Sequence, residues 1–156
     1  MSALLPNVER RMMRELARRD IRPMPSAQAP GSLADLLGIL SKDHAHGHGL
    51  LAPFSVHLPV FNGGAGQTIW SGPAANYAFR ALHDLDHFAT RADFTLEGET
   101  RVYHQALRWA RTPLERDALW WEIVGQVEWH SVMYEFPENQ REFVLAGLRS
   151  RGYTLP

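Results

Sequence analysis

Cysteine is absent from this chain of 156 residues. Its absence excludes disulfides, thiolate zinc sites, iron–sulfur clusters and a cysteine nucleophile, and it is compatible with a reducing compartment. Long apolar runs are missing as well. No stretch approaches the roughly 18 apolar residues of a membrane span, and no apolar segment marks a signal peptide. We therefore expect a soluble, cytoplasmic protein.

A strong charge of either sign is also lacking. The formal net charge is −1, with 45% hydrophobic and 21% charged residues, so no overall field indicates a nucleic-acid partner. A nucleic-acid adaptor would need a continuous basic surface, and only the amino-terminal segment begins one. The length predicts a single helical domain over residues 1–156 with a sizeable core.

The amino-terminal segment carries a basic amphipathic pattern. Residues 1–22 contain six arginines against three acidic residues, and a helix is predicted from about Asn7 to Arg19. Its apolar face is formed by Val8, Met12 and Leu16. A proline-rich connector without regular structure is expected over Pro23–Gly31. This pattern makes residues 1–30 candidates for a peripheral position and for contact with a membrane surface.

The residues between about Leu50 and Gly72 are the least helical part of the chain. Phe54–Phe61 alternates like a strand, but its prolines confine it to an extended or edge segment. The glycine-rich run Asn62–Gly66 lacks the Gly-Lys-Ser/Thr ending of a P-loop and is expected to be a turn. Just before this part, His44, His46 and His48 alternate with small residues, which favours a flexible loop, with a mobile lid or supplementary metal ligand as the alternative.

The strongest chemical signal lies in residues 73–99. On a helix with roughly 100° per residue, His83, Asp84 and His87 fall within about 100° of one another. The other positions of this helix are mostly apolar, which predicts a buried helix with one polar stripe. Thr95 fits an N-cap, which places Glu99 in the first turn of the next helix. If the two helices pack as an antiparallel hairpin, Glu99 returns beside His87.

These four residues, His83, Asp84, His87 and Glu99, supply two imidazoles and two carboxylates. Such a set suits one divalent cation, with Zn²⁺ preferred and Fe²⁺ or Mn²⁺ also compatible. The alternative is a solvated polar stripe in which the two histidines occur by chance.

The spacing His-Asp-x-x-His, eleven residues and then Glu resembles the metal motif of the coenzyme Q (ubiquinone) biosynthesis proteins of the Coq-four family. The resemblance is confined to residues 73–99, and includes the small residue and glutamate that end the run Phe-Thr-Leu-Glu-Gly-Glu. It implies an all-helical fold, zinc held by the four residues named above, and a polyprenylated quinone ring precursor as substrate at a membrane surface.

A third helix follows this motif. Thr112-Pro-Leu-Glu115 is a capping box with proline at the first helical position, and the helix is expected to reach about Tyr134. Glu122, Gln126 and His130 recur every four residues, which resembles the inner face of a metal-carrying bundle. They are candidates for outer-shell partners or a further ligand. A partly exposed polar stripe is the alternative.

These features favour a mainly α fold: a compact helical bundle with an irregular glycine- and proline-rich segment before the metal-site helix. The favoured function is a metal-dependent hydrolase or lyase acting on a small molecule, with Asp86 and Glu122 as catalytic candidates.

Three alternatives remain open. One is an HD-type phosphohydrolase built from His57, His83-Asp84 and Asp117. Another is a di-metal oxygenase that uses Glu99 and Glu122, although the repeated Glu-x-x-His pairs of such bundles are missing. The third is a non-catalytic, metal-stabilised structural or adaptor domain.

Overall fold

A computed structural model describes residues 3–45, 56–64 and 66–155. The α-helices are α1 (Pro6–Arg19), α2 (Leu33–Ala45), α3 (Pro73–Thr90), α4 (Leu96–Ala106), α5 (Pro113–Trp120), α6 (Gln126–Met133) and α7 (Gln140–Ser150). A 3₁₀ turn at Leu107–Trp109 follows α4, and a π-helical turn at Trp121–Gly125 joins α5 to α6. Two short strands are β1 (Ile21–Ser26) and β2 (Val56–Phe61). The predicted compact, mainly α fold is confirmed. The flexible loop predicted for His44, His46 and His48 is wrong at His44, which lies in the last turn of α2, and the other two histidines lie outside the described ranges.

The two-stranded sheet corrects one expectation for the residues after α1. β1 and β2 pair in parallel, with Ile21 opposite Val56. The irregular connector predicted over Pro23–Gly31 is therefore wrong in its first half, whereas the extended segment predicted around Pro59 is confirmed. In a two-stranded sheet one edge of each strand has no partner strand, so prolines at alternate positions can place their missing N–H groups along that edge.

Helix α1 packs its apolar face into the main hydrophobic core. The buried residues are those predicted from the spacing: Val8, Met12 and Leu16. Arg11 joins this helix to α5, because its guanidinium lies 2.9 Å from the carboxylate of Glu115. Contact of the basic face of α1 with a membrane stays a prediction. No helix in the described part of the chain combines the length and apolarity needed to cross a bilayer.

The helical run from α5 to α6 begins and ends close to the predicted residues. The capping box of Thr112 and Glu115 is present, and α6 ends at Met133. The central turn of this run lies in the core, with buried Leu119, Ile123 and Val124 packed in one cluster with residues of α7. Glu122 and Gln126 are buried as well. The predicted polar stripe is therefore interior at its amino-terminal end, and the structure does not support the alternative of partial exposure there.

Helix α3 lies against several of these elements and carries the polar stripe identified in the sequence. It contacts α1, α2, α4 and both strands. Its buried apolar residues are Ala75, Ala78, Phe79, Ala81 and Leu82, and the ring of Phe79 lies 4.9 Å from that of Trp70. Because most of α3 is enclosed, its histidines are held against α4 with little freedom to turn toward solvent.

Candidate metal centre

Three of the four predicted ligands converge between α3 and α4. His83 and His87 lie one turn apart on α3, and Glu99 lies in the first turn of α4. Within the described ranges they form the one group of three or more His, Cys, Asp or Glu side chains arranged to hold a metal ion. The hydroxyl of Thr95 accepts the N–H of Gly98 at 3.2 Å, which confirms the predicted N-cap and starts α4 at the position that returns Glu99 to α3.

The distances within this group are those of ligands around one small cation. The two Nε2 atoms of His83 and His87 lie 3.1 Å apart. The carboxylate oxygens of Glu99 lie 3.3 Å from each of them, Oε2 from His83 and Oε1 from His87. Ligand atoms about 2.0–2.1 Å from a tetrahedral Zn²⁺ are separated by roughly 3.3–3.4 Å. The distance between the histidine nitrogens and the distance from each of them to one Glu99 oxygen are therefore close to the edges of a metal coordination shell, with a different carboxylate oxygen facing each histidine.

His87 is oriented by a contact on the far side of its ring. Its Nδ1 lies 3.0 Å from the carbonyl oxygen of Ala92, and since a carbonyl can only accept, Nδ1 carries the hydrogen. The Nε2 lone pair then faces Glu99 and His83. A backbone carbonyl on the second ring nitrogen is the usual outer-shell partner of a metal-bound histidine. The side chain is fully buried, so the packing around it holds the ring in this orientation.

Opposite charges inside the group shift the pKa values of His83 and Glu99. Burial lowers the pKa of His83, but the carboxylates of Glu99, Asp84 and Asp86 together outweigh burial and raise that pKa to about 9. Burial raises the pKa of Glu99, but its interactions with His83 and His87 together outweigh burial and lower that pKa to about 2. Oε2 of Glu99 is nevertheless buried without a hydrogen-bond partner among the described residues. A cation between the three side chains would satisfy this oxygen, so the group fits a divalent metal.

Asp84, the fourth predicted ligand, lies outside the three-residue group. It lines a neighbouring cleft of about 450 Å³ together with Arg80 and Gln126. Burial raises the pKa of Asp84 to about 6, against the opposing charges of His83 and His87. It is thus an electrostatic neighbour of the group that faces a different space.

Asp86, a predicted catalytic residue, is tied to a partner that the sequence does not reveal. Its Oδ1 and Oδ2 accept hydrogen bonds from the two terminal nitrogens of Arg108, each at 2.8 Å. Bidentate pairing of this kind fixes both groups. It occupies both oxygens of the proposed base. Asp86 therefore joins α3 to the 3₁₀ turn after α4, and its catalytic role stays a prediction.

Changing Asp86 to Asn should lower stability without removing bound metal. We expect the free energy of unfolding to fall by about 1–2 kcal/mol, because a charged hydrogen bond contributes about 1.5–3 kcal/mol and partial exposure of Arg108 weakens it. Urea denaturation and metal content would be measured on the same samples, with Glu97→Gln on the exposed Glu97–Arg101 pair as the matched control. Lost turnover at unchanged stability would instead restore Asp86 as a catalytic base.

Glu122, the other predicted catalytic residue, is buried next to the metal group and the cleft. Burial raises its pKa to about 8, opposed by the charges of Arg80 and His83. Gln126 donates from Nε2 to Oε2 of Glu122 at 3.2 Å. The indole Nε1 of Trp70 approaches this carboxyl without reaching hydrogen-bonding geometry. Near neutral pH, Glu122 is therefore an oriented carboxylic acid that carries its proton.

The residues of the two other predicted metal enzymes are not brought together. His57 is exposed on β2, and Asp117 pairs with Arg151 at 2.6 Å and accepts the hydroxyl of Tyr153 at 2.8 Å. These positions do not form an HD-type site with His83. Glu122 is not part of the ligand group in the described chain, so no second metal position pairs it with Glu99.

Two residues that contact the site were not predicted from the sequence. The carbonyl of Ala92 orients His87, and Arg108 engages Asp86, yet neither residue belongs to a motif. The contact with Ala92 depends on how the chain turns after α3, where Arg91 adopts a left-handed conformation with φ 53°. Backbone carbonyls occur at every residue, so sequence alone could not single out Ala92.

Comparisons with protein-family models, curated proteins and solved structures find no match to this chain. The resemblance to the Coq-four family therefore rests on residues 73–99 alone, and the case for a function rests on the geometry of the site.

Proposed function

We propose that this protein is a divalent-metal enzyme of the hydrolase or lyase type, whose cation is held by His83, His87 and Glu99. One observation carries the proposal. The Nε2 atoms of His83 and His87 lie 3.1 Å apart, and each lies 3.3 Å from one carboxylate oxygen of Glu99. Of these oxygens, Oε2 makes no hydrogen bond within the described chain. A buried carboxylate oxygen without a hydrogen bond costs free energy, which a bound cation would offset.

Zinc is the favoured cation because of the donor set. Two imidazoles and one carboxylate are typical of catalytic zinc sites, where a fourth position stays open for water or substrate. The same donors with more open positions suit Fe²⁺, and carboxylates suit Mn²⁺. A divalent cation bound here would supply a Lewis acid and lower the pKa of a bound water.

Glu122 is the candidate for proton handling beside that cation. It holds a proton near neutral pH, and Gln126 orients the carboxyl group. Gln126 also lines the cleft, so Glu122 lies beside the space where a substrate would bind. A carboxylic acid in that position can donate to a leaving group and afterwards accept a proton from water. Asp84, which lines the same cleft, is a second polar contact for substrate.

Glu122→Gln tests the enzymatic part of the proposal. The substitution keeps size and hydrogen-bonding capacity but removes the proton donor, so zinc content should stay at the wild-type value while turnover falls about 10²–10⁴-fold. Zinc-loaded protein would be assayed with p-nitrophenyl acetate, p-nitrophenyl phosphate and a prenylated quinone precursor. Glu128→Gln, an exposed change on α6, is the matched control and should leave turnover unchanged.

The quinone precursor belongs in this panel because of the Coq-four motif. Three of its four positions, His83, His87 and Glu99, lie together in this fold. Turnover of the prenylated precursor alone would support a quinone-pathway substrate, whereas turnover of a simple ester or phosphoester would favour a hydrolase of another class. Absence of turnover with zinc, iron and manganese would contradict the enzyme proposal.

A metal-stabilised structural domain is the second candidate, and burial favours it. The side chain of His87 is fully buried and that of Glu99 is 7% exposed, and the metal would join α3 to α4. Structural zinc sites, however, are usually closed by four protein ligands, and the described group offers three. The metal enzyme is therefore the preferred hypothesis, and the Glu122→Gln assay distinguishes it from a structural metal domain.

A further inference from the structure

The cleft beside the metal group contains Arg80, an arginine that forms no ion pair with another described residue. Arg80 lines this space of about 450 Å³, a volume within the range of about 300–1,000 Å³ that small-molecule sites occupy. Among the ion pairs of the described residues none involves Arg80. Its guanidinium donates one hydrogen bond to the carbonyl oxygen of Phe61. Most of its donors are left for another partner.

The surroundings of Arg80 make this arrangement costly in the absence of a ligand. Burial lowers the pKa of Arg80, against the opposing charges of Glu122 and Asp84. Neither carboxyl group forms an ion pair with the guanidinium among the described residues, although Asp84 lines the same cleft. A partly buried cation without a close counter-charge is unfavourable. An anionic group in the cleft would supply that charge and could accept two parallel hydrogen bonds from the guanidinium.

The other walls of the cleft define the rest of the ligand. Phe61 and Phe136 lie on its rim with 54% of their surface exposed. The ring of Phe136 is held in place by stacking on His130, with the ring centres 4.5 Å apart. Two exposed aromatic rings beside a guanidinium suit a ligand with a flat or apolar body.

The position of Arg80 on α3 connects the cleft to the metal group. Arg80 precedes His83 by three residues and Asp84 by four, and side chains at these spacings are neighbours about 5–6 Å apart at Cβ. A ligand whose charged end lies on Arg80 is thereby held about one helical turn from the candidate cation.

We propose that this cleft binds a small organic anion, whose carboxylate or phosphate group pairs with Arg80 and whose apolar body lies against Phe61 and Phe136. The inference rests on the proposed function in one respect: it makes such an anion the substrate class of the metal enzyme. The anion site itself depends only on the cleft.

Binding of three probes of similar shape tests this inference: benzoate, phenyl phosphate and the neutral benzyl alcohol. They would be titrated into the zinc-loaded full chain and followed by amide chemical shifts. Wild type should bind at least one of the two anions at least tenfold more tightly than benzyl alcohol. Tighter benzoate binding identifies a carboxylate ligand, and tighter phenyl phosphate binding identifies a phosphate.

Variants then show which residues cause the tighter binding of the anionic probes. Arg80→Met should abolish the tenfold difference, Arg80→Lys should keep part of it, and Arg101→Met, on an exposed surface pair of α4, should leave it unchanged. Phe136→Ala should weaken all three probes by a similar factor. If Arg80→Met does not fold, the affinities of Arg80→Lys and Phe136→Ala for the anionic and neutral probes still provide the comparison with wild type.

Equal affinity for the charged and neutral probes, or an anion preference that survives Arg80→Met, would overturn the inference. Zinc content, measured on the same samples, distinguishes failure of the anion site from failure of the proposed metal enzyme. Loss of the anion preference with zinc retained contradicts the anion site alone. Absence of zinc with the preference intact contradicts the metal enzyme and leaves the anion site standing.

Discussion

Protein purified without chelator should contain close to one equivalent of zinc per chain, and His83→Ala or Glu99→Ala should remove it. Each substitution deletes one of three ligands, in which the histidine nitrogens lie 3.1 Å apart and each lies 3.3 Å from a carboxylate oxygen of Glu99. Loss of an outer-shell partner alone weakens metal sites about 10–100-fold, so loss of a ligand should weaken this one by more. Elemental analysis together with zinc titration would give both stoichiometry and affinity.

Metal removal should also lower the melting temperature of wild type. A ligand that binds only the folded state stabilises it by about 2.7 kcal/mol when present at a hundred times its dissociation constant. A strong chelator should therefore lower the melting temperature of wild type and have little effect on His83→Ala. His104→Ala is the matched control, because His104 is an exposed histidine on α4 and should keep full zinc content.

Absence of metal from wild type, even after Zn²⁺, Fe²⁺ and Mn²⁺ have been added, would refute the metal site. His83 and Glu99 would then be a buried ion pair joining α3 to α4. In that case the pair should weaken as the pH rises through about 9, where His83 loses its proton, and as the pH falls toward about 2, where Glu99 gains one.

Gly98→Ala should both destabilise the fold and weaken metal binding. A β-carbon at this position would overlap the backbone carbonyl of Asp93, so α4 or the preceding turn would have to move. Overpacking of this kind typically costs about 1–3 kcal/mol, and a rigid backbone neighbour favours the upper end. Glu99 is the next residue, and metal–ligand distances tolerate only about 0.2 Å. Zinc affinity should therefore fall further than the stability loss alone explains.

Gly38→Ala is the control that makes the result specific. Gly38 lies in the middle of α2, and a β-carbon there would meet no atom within 4 Å. In an open helical position alanine is favoured over glycine by about 1 kcal/mol, so this variant should be slightly more stable and bind zinc normally. Stability and affinity would be measured by urea denaturation and zinc titration. Wild-type zinc affinity in Gly98→Ala would contradict the role assigned to this glycine.

The chemistry of the candidate centre could be read from the sequence because its parts are local. Two histidines four residues apart face the same way on any α-helix, and Thr95 sets the start of α4 by contacts within four residues. Return of Glu99 to α3 needed only the further assumption that consecutive helices pack together. The helical class followed in the same way from spacing and caps.

The tertiary structure decided which polar residues serve the site. Asp84, Asp86 and Glu122 look alike as carboxylates in the sequence, yet Asp84 lines the cleft, Asp86 is held by Arg108, and Glu122 is buried beside Gln126. The parallel pairing of β1 with β2 was equally hidden, because its partners are 35 residues apart in register.

The sequence by itself therefore determined a mainly helical chain with one metal-competent pair of histidines and a glutamate positioned by the next helix cap. Only the tertiary structure decided that the three candidate ligands converge, that Asp86 pairs with Arg108, and that Arg80 lines a cleft without an ion pair to another described residue. Helical periodicity and caps are interactions over a few residues, which one segment specifies alone. Burial, ion pairing and clefts depend on distant segments packed against one another, and no single segment contains that information.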